Sequence, residues 1–258
     1  MKSDLPSPEV GEGSESEMAY SSSSLALPRR LILGLPLLGM PLSLAACSSE
    51  SLLNATFDTE ALGSPPAAAQ PAGTVSLSTG AGTVTVEPSP TPSATDQWVQ
   101  MTSAGFNPTL GPTALQCNFA RFGGDGEYTI TVSLCIPFAQ ALSLQFEPFG
   151  QSATTFLNFL RIDFVGATVR INGETSESLR LTGKLSSVFS VIITMTIGAS
   201  GANARISLVG EASGGQDVTV SPSLLGVARE FGALKVFLDA HALGPVYIQG
   251  ASVLRTIP

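Results

Sequence analysis

The sequence predicts an all-β chain, folded as an antiparallel sandwich or barrel. Three observations carry this. Apolar and polar residues alternate with period two over many short stretches, the mark of strands with one buried and one wet face. Gly, Pro, Ser and Asn punctuate those stretches, as turns between short strands require. A helical period of about 3.6 residues is nearly absent.

The strands follow in order. Val84 and Val86 alternate after the glycine-rich Ser78–Gly82. Tyr128, Ile130, Val132 and Leu134 alternate with Thr129, Thr131 and Ser133. Leu142, Leu144 and Phe146 precede Pro148. Val169 and Ile171 run into Asn172-Gly173, a hairpin signal because both turn positions need positive φ, and Leu179 and Leu181 lie on the return strand. Phe189, Val191, Ile193, Met195 and Ile197 form the clearest core stripe, with Ser190, Thr194 and Thr196 opposite. The pairs Ile206/Leu208, Val218/Val220, Leu234/Val236 and Val246/Ile248 continue the pattern. One short helix is allowed at Ser223–Phe231.

The chain begins differently. Arg29-Arg30, the apolar Leu31–Ser43, then Leu44-Ala45-Ala46-Cys47 and the polar Ser48-Ser49-Glu50 have the layout of a secretory signal. Leu31–Ala46 is shorter than the roughly 20 apolar residues that span a bilayer, and Pro36 and Pro41 interrupt it. The Leu-Ala-Ala-Cys ending resembles the bacterial lipoprotein lipobox. That resemblance implies cleavage before Cys47, a diacylglycerol on its thiol, and a further acyl chain such as palmitate on the new amino group. Ser48 after the cysteine, in place of aspartate, favours the outer over the inner membrane on the same resemblance. Residues 1–17 carry acids at Asp4, Glu9, Glu12, Glu15 and Glu17, whereas Met18–Arg30 has none, so translation from Met18 is expected. Arg29-Arg30 followed by Leu31-Ile32-Leu33 resembles a twin-arginine export signal, and general secretion fits equally. The expected organisation is a signal peptide over 1–46, a lipidated tether over 47–53 and a β-sandwich over 54–258.

Twenty acids against twelve Lys and Arg give a net charge of −8. No basic run exists to meet phosphates, which argues against nucleic acid as a partner. With Cys47 taken by lipid, Cys117 and Cys135 remain, and an oxidising compartment makes a disulfide the natural reading. Their alternation parities differ, so directly paired flanking strands would need a bulge, which Gly123-Gly124 could supply. Two separate buried thiols are the alternative.

The segments Phe57–Pro66, Gly73-Thr74-Val75, Gly82–Val86 and Trp98–Met101, with the closing Phe231–Leu238, Gly244–Ile248 and Ala251–Leu254, resemble jelly-roll domains of the concanavalin A-like and carbohydrate-binding kind. The resemblance implies a two-sheet jelly-roll sandwich with its first and last strands in one sheet. It also implies a structural calcium held by Asp58 and Glu60, at a site whose last-strand aspartate is here Gln249.

Catalysis finds little support. His241 is the only histidine, and it lacks an evident nucleophile or orienting partner. Glycosidases of this fold work with two carboxylates. Arg161-Ile162-Asp163-Phe164 offers one, expected to pair with Arg161 or Arg170. Sugar modules present aromatic rings, and here the candidates are Trp98, Tyr128 and Tyr247. The sequence therefore predicts a non-catalytic, membrane-anchored lipoprotein of the bacterial cell envelope. Its role is structural or binding, with an envelope protein as one class of partner. A carbohydrate-binding lipoprotein is the second reading, and a jelly-roll glycoside hydrolase or lyase the third.

Overall fold

The computed structural model describes residues 48–80, 82–91, 94–103, 109, 111–137, 141–147, 160–181, 187–198, 201–210, 217–220, 231–238 and 244–257. All lie in one unit, Leu44–Pro258. The signal region, Cys47, His241 and nearly all of the helix expected at Ser223–Phe231 lie outside the described residues; Phe231 itself opens a strand.

The strands in chain order are β1 (Ser48–Thr56), β2 (Thr74–Ser78), β3 (Thr83–Pro88), β4 (Gln97–Thr102), β5 (Thr113–Gly123), β6 (Gly126–Cys135), β7 (Ala141–Glu147) and β8 (Leu160–Val165). They continue with β9 (Thr168–Ile171), β10 (Glu174–Arg180), β11 (Val188–Gly198), β12 (Gly201–Gly210), β13 (Asp217–Val220), β14 (Phe231–Leu238) and β15 (Val246–Ile257). They form two antiparallel sheets. The eight-stranded sheet runs β13-β12-β11-β6-β15-β4-β3, with β1 also paired to β15. The seven-stranded sheet runs β10-β9-β8-β7-β14-β5-β2. This is the expected antiparallel jelly-roll sandwich, with its first and last strands together.

The alternation seen in sequence becomes the core. Phe189, Val191, Ile193, Met195 and Ile197 all point inward from β11, against Leu142, Leu144, Ile162 and Phe164 of the other sheet's inner face. The rings of Phe164 and Phe189 meet edge to face at 5.7 Å across the two layers, a favoured aromatic geometry. Asn172 and Gly173 adopt φ of 48° and 90°, so the β9–β10 hairpin turns as its sequence requires.

Two expectations are corrected. Ser48–Leu53 is no tether; it is the first part of β1, paired with β15 from Ser48↔Ile257 onward. A register shift between Ser51 and Leu53 lets the consecutive Leu52 and Leu53 both turn into the core, which strict alternation forbids and a bulge permits. The Cys117–Cys135 disulfide does not form either; both are buried thiols outside any disulfide. The physical reason is topological. β5 and β6 are consecutive but lie in different sheets, so they never pair. Cys117 sits mid-strand between Val75 and Leu234, whereas Cys135 ends β6 between Val188 and Tyr247.

Burial raises the Cys117 pKa from 9.0 to about 12 and that of Cys135 from 9.0 to about 11. Unfolded thiols ionise first as pH rises, so stability is whole below about pH 9 and falls as the pH climbs toward the folded-state values. Residues 48–258 are therefore expected to be inert to a thiol reagent at pH 8 when native. In denaturant both thiols react, with or without prior reduction. One reactive thiol, or none without reductant, contradicts the free-thiol assignment.

Candidate functional site

Three strands at the middle of the seven-stranded sheet carry chemistry on their outward parity. Leu142 and Leu144 of β7 face the core, as do Ile162 and Phe164 of β8 and Val236 and Leu238 of β14. Ser143, Asp163 and Phe237 therefore point away from it. Their registers make one row across the sheet: Arg170, Asp163, Ser143, Phe237, Ala114 and Ser78.

Within this row the polar groups are tightly engaged. Arg161 Nε donates to both oxygens of Asp163, at 2.7 and 3.0 Å. The Ser143 hydroxyl donates to Asp163 Oδ1, and Arg161 Nη2 donates to Ser143 Oγ at 3.4 Å. Of the two residues that could neutralise Asp163, Arg161 and not Arg170 makes the ion pair. The Arg161 guanidinium also lies 5.5 Å from the Phe237 ring centroid, within cation–π range. Asp163 is 8% exposed and Ser143 6%. A carboxylate held that dry must be compensated, and the guanidinium and hydroxyl do this. Farther along the same face, Gln116 Nε2 donates to Asn118 Oδ1 at 2.7 Å.

The set joins a desolvated carboxylate, a guanidinium with N–H groups to spare, an aromatic ring and nearby amides. It suits a neutral ligand with adjacent hydroxyls and an apolar edge: one hydroxyl donates to Asp163, its neighbour accepts from Arg161, and Phe237 meets carbon. The row holds a single carboxylate, whereas retaining glycosidases place two about 5 Å apart.

The residues singled out from sequence lie elsewhere. Trp98 and Tyr128 are 1% and 2% exposed, so neither offers a ring face to a sugar. Trp98 Nε1 donates to Asp96 Oδ2 at 2.8 Å, and Tyr128 donates to the Gly124 carbonyl oxygen. Burial pushes the Tyr128 phenol up to about 12. Tyr247 is half-buried and accepts from Gln100 Nε2 at 2.9 Å. These three are not brought together with Asp163; all belong to the eight-stranded sheet.

The calcium expectation was tested on the donors themselves. Glu60 Oε2 accepts from the Ala67 amide at 2.7 Å and Oε1 from Gln70 Nε2 at 3.1 Å. Gln249 Nε2 reaches Asp96 Oδ2 at 2.5 Å. Protein N–H donors thus engage both oxygens of Glu60, Asp58 is an exposed acid, and Asp96 Oδ1 is buried without a hydrogen-bond partner. Among the described residues no three His, Cys, Asp or Glu side chains gather as a metal cluster.

The outer face of the eight-stranded sheet bears two shallow depressions. One, of about 240 Å³, is bordered by Asn54, Thr56, Asp58, Thr131, Ser133 and Gln249. The other, of about 330 Å³, is bordered by Glu127, Thr129, Thr194, Thr196, Asn203 and Arg205. Neither combines a buried charge with an aromatic ring.

Sequence reasoning missed Ser143 and Phe237. Their signal was parity: a phenylalanine between Val236 and Leu238 occupies the polar side of its strand. Which strands lie beside it cannot be read from alternation.

No family model matches the chain, and no curated protein matches it. Solved structures match in strand arrangement at low identity. Lectin II from Ulex europaeus aligns at 10% identity and a TM-score of 0.48, over 82% of this chain and 99% of its own. A lectin from Bauhinia forficata in complex with GalNAc aligns at 10% and 0.49, over 82% and 99%. A carbohydrate esterase from the Shiga toxin-encoding bacteriophage phi24B aligns at 12% and 0.47, over 81% and 99%.

Breaking the row should be felt in stability. Asp163→Ala leaves Arg161 and Ser143 without their acceptor and is expected to cost about 1–3 kcal/mol, read by urea unfolding. Ser143→Ala combined with it should cost less than the sum of the two, because both remove one shared contact. Strict additivity would show that the two side chains are not coupled.

Proposed function

We propose that this chain is an exported lipoprotein, anchored by acyl chains on Cys47 in the bacterial cell envelope, whose sandwich binds a glycan without chemically altering it. The observation that supports the glycan reading is the Arg161–Asp163–Ser143 group beside Phe237. The group sets a carboxylate, a guanidinium and a hydroxyl beside an aromatic ring. A sugar, with paired hydroxyls and apolar C–H faces, uses all of them. The lone carboxylate supports binding over hydrolysis. The lipobox-like Leu44–Cys47 supports the anchor, and Ser48 supports the outer membrane.

A glycan array probed with residues 48–258 tests the binding. One glycan class is expected to bind, and Asp163→Asn and Phe237→Ala are each expected to weaken it about ten-fold or more, the value of a charged hydrogen bond. Thermal unfolding of both variants must still be cooperative, so that lost binding is not lost folding. Silence across the array, or hits indifferent to both substitutions, removes the glycan from this face. A protein partner from the envelope is then the reading to pursue.

A further inference from the structure

We infer that the sandwich sits directly on the lipid surface by one defined end, with the Asp163 row held at the other. This rests on the lipid-anchored reading above and adds an orientation to it.

The argument starts with chain length. β1 begins at Ser48, the residue immediately after Cys47. One residue spans at most about 3.6 Å, so the acylated residue and the first paired residue are nearly adjacent. No flexible segment separates lipid from fold. Ser48 pairs with Ile257 and Ser49 with Thr256, and Thr256 pairs in turn with Glu127 at the start of β6. These residues form one rim of the sandwich.

That rim is braced. Glu50 Oε2 meets Arg121 Nη2 of β5 at 2.5 Å, and Glu50 Oε1 meets Arg255 Nη1 of β15 at 3.0 Å. Arg255 also donates to the Asp125 carbonyl oxygen, from Nε at 3.1 Å. One glutamate thus ties the first strand to the last strand and to the opposite sheet. A pull on Cys47 is delivered to this network and so to the whole sandwich.

The same rim exposes apolar side chains. Ile257 is 36% exposed, and Leu254, three residues inward on the opposite face of β15, is 44% exposed. Arg121 is exposed there too, but Asp125 and Glu127 beside it are also exposed, so the rim has no basic surplus. The covalent lipid and the two apolar side chains, not attraction to anionic headgroups, hold it down, and the contact should persist in salt that screens charge.

The opposite end follows from β5. Gly123 leads into the turn at the rim and pairs with Phe231; Phe237, paired with Ala114 in the Asp163 row, lies six residues farther along β14, about 20 Å at roughly 3.3 Å per residue. A rim seated on the bilayer therefore holds the candidate site away from it, open to a large glycan.

The test uses the acylated full chain in phospholipid vesicles containing headgroup-nitroxide lipid. Environment-sensitive fluorophores are placed on Ile257→Cys and, separately, on Ser78→Cys at the far end; Cys117 and Cys135 are buried and stay unlabelled in the native protein. Emission at 257 is expected to be quenched and emission at 78 spared, at both low and high salt. A flexible Gly/Ser insert of about 20 residues after Cys47, with a reach of about 25 Å, should restore emission at 257 while the protein still floats with vesicles. Equal quenching at both positions, or quenching unmoved by the insert, overturns the orientation and leaves the anchor standing. A mature chain without lipid, or a Cys47→Ala chain that floats as well as wild type, overturns both.

Discussion

The pairing of the first strand with the last is the interaction on which the rest of this structure depends. β15 is a shared strand: β6 runs along one edge, and β4 and then β1 share the other. Without β1, the outer edge of β15 would lie open from Gly250 to Ile257, and Leu52, Leu53, Ala55 and Phe57 would leave the core they now fill. Burial of side chains of this size stabilises by about 1.5–3 kcal/mol each for the large ones, comparable in sum with the whole stability of an ordinary domain. Gly250 shows how closely the strands approach: a Cβ there would stand 2.7 Å from the Ala55 carbonyl oxygen. The register shift between Ile248 and Gly250 interrupts the β6 ladder at Gln249, whose side chain reaches Asp96.

The two sheets carry different chemistry. The eight-stranded sheet contains β1, which begins at Ser48. The seven-stranded sheet carries the buried carboxylate and its ring. The two meet through Glu50, whose carboxylate contacts both. At 8% exposure Asp163 loses most of its hydration, and Arg161 and Ser143 offset that cost.

The fold was legible in the sequence because alternation survives without knowledge of neighbours. Every residue of the Phe189–Ile197 stripe is buried, and Asn172-Gly173 turns as its chemistry demands. What failed were inferences that needed pairing. Ser48–Leu53 is polar and short at its start, and only its partner β15 reveals it as a strand. Cys117 and Cys135 flank a glycine-rich turn that resembles a hairpin, but the turn crosses between sheets. Trp98 and Tyr128 look like sugar platforms by residue type, but each is buried and its polar tip satisfied locally. The candidate site escaped notice because Ser143, Asp163 and Phe237 are far apart in sequence and meet only through the order β8-β7-β14.

Hydrogen exchange of residues 48–258 tests the central claim most directly, because it asks whether the segment after Cys47 is fold or tether. The amides of Leu53 through Thr56 are predicted to exchange as slowly as their partners Gly250–Val253 in β15, opening only with the whole domain. Fast exchange there, against a protected β15, would make β1 a loose leader and contradict its place in the sheet.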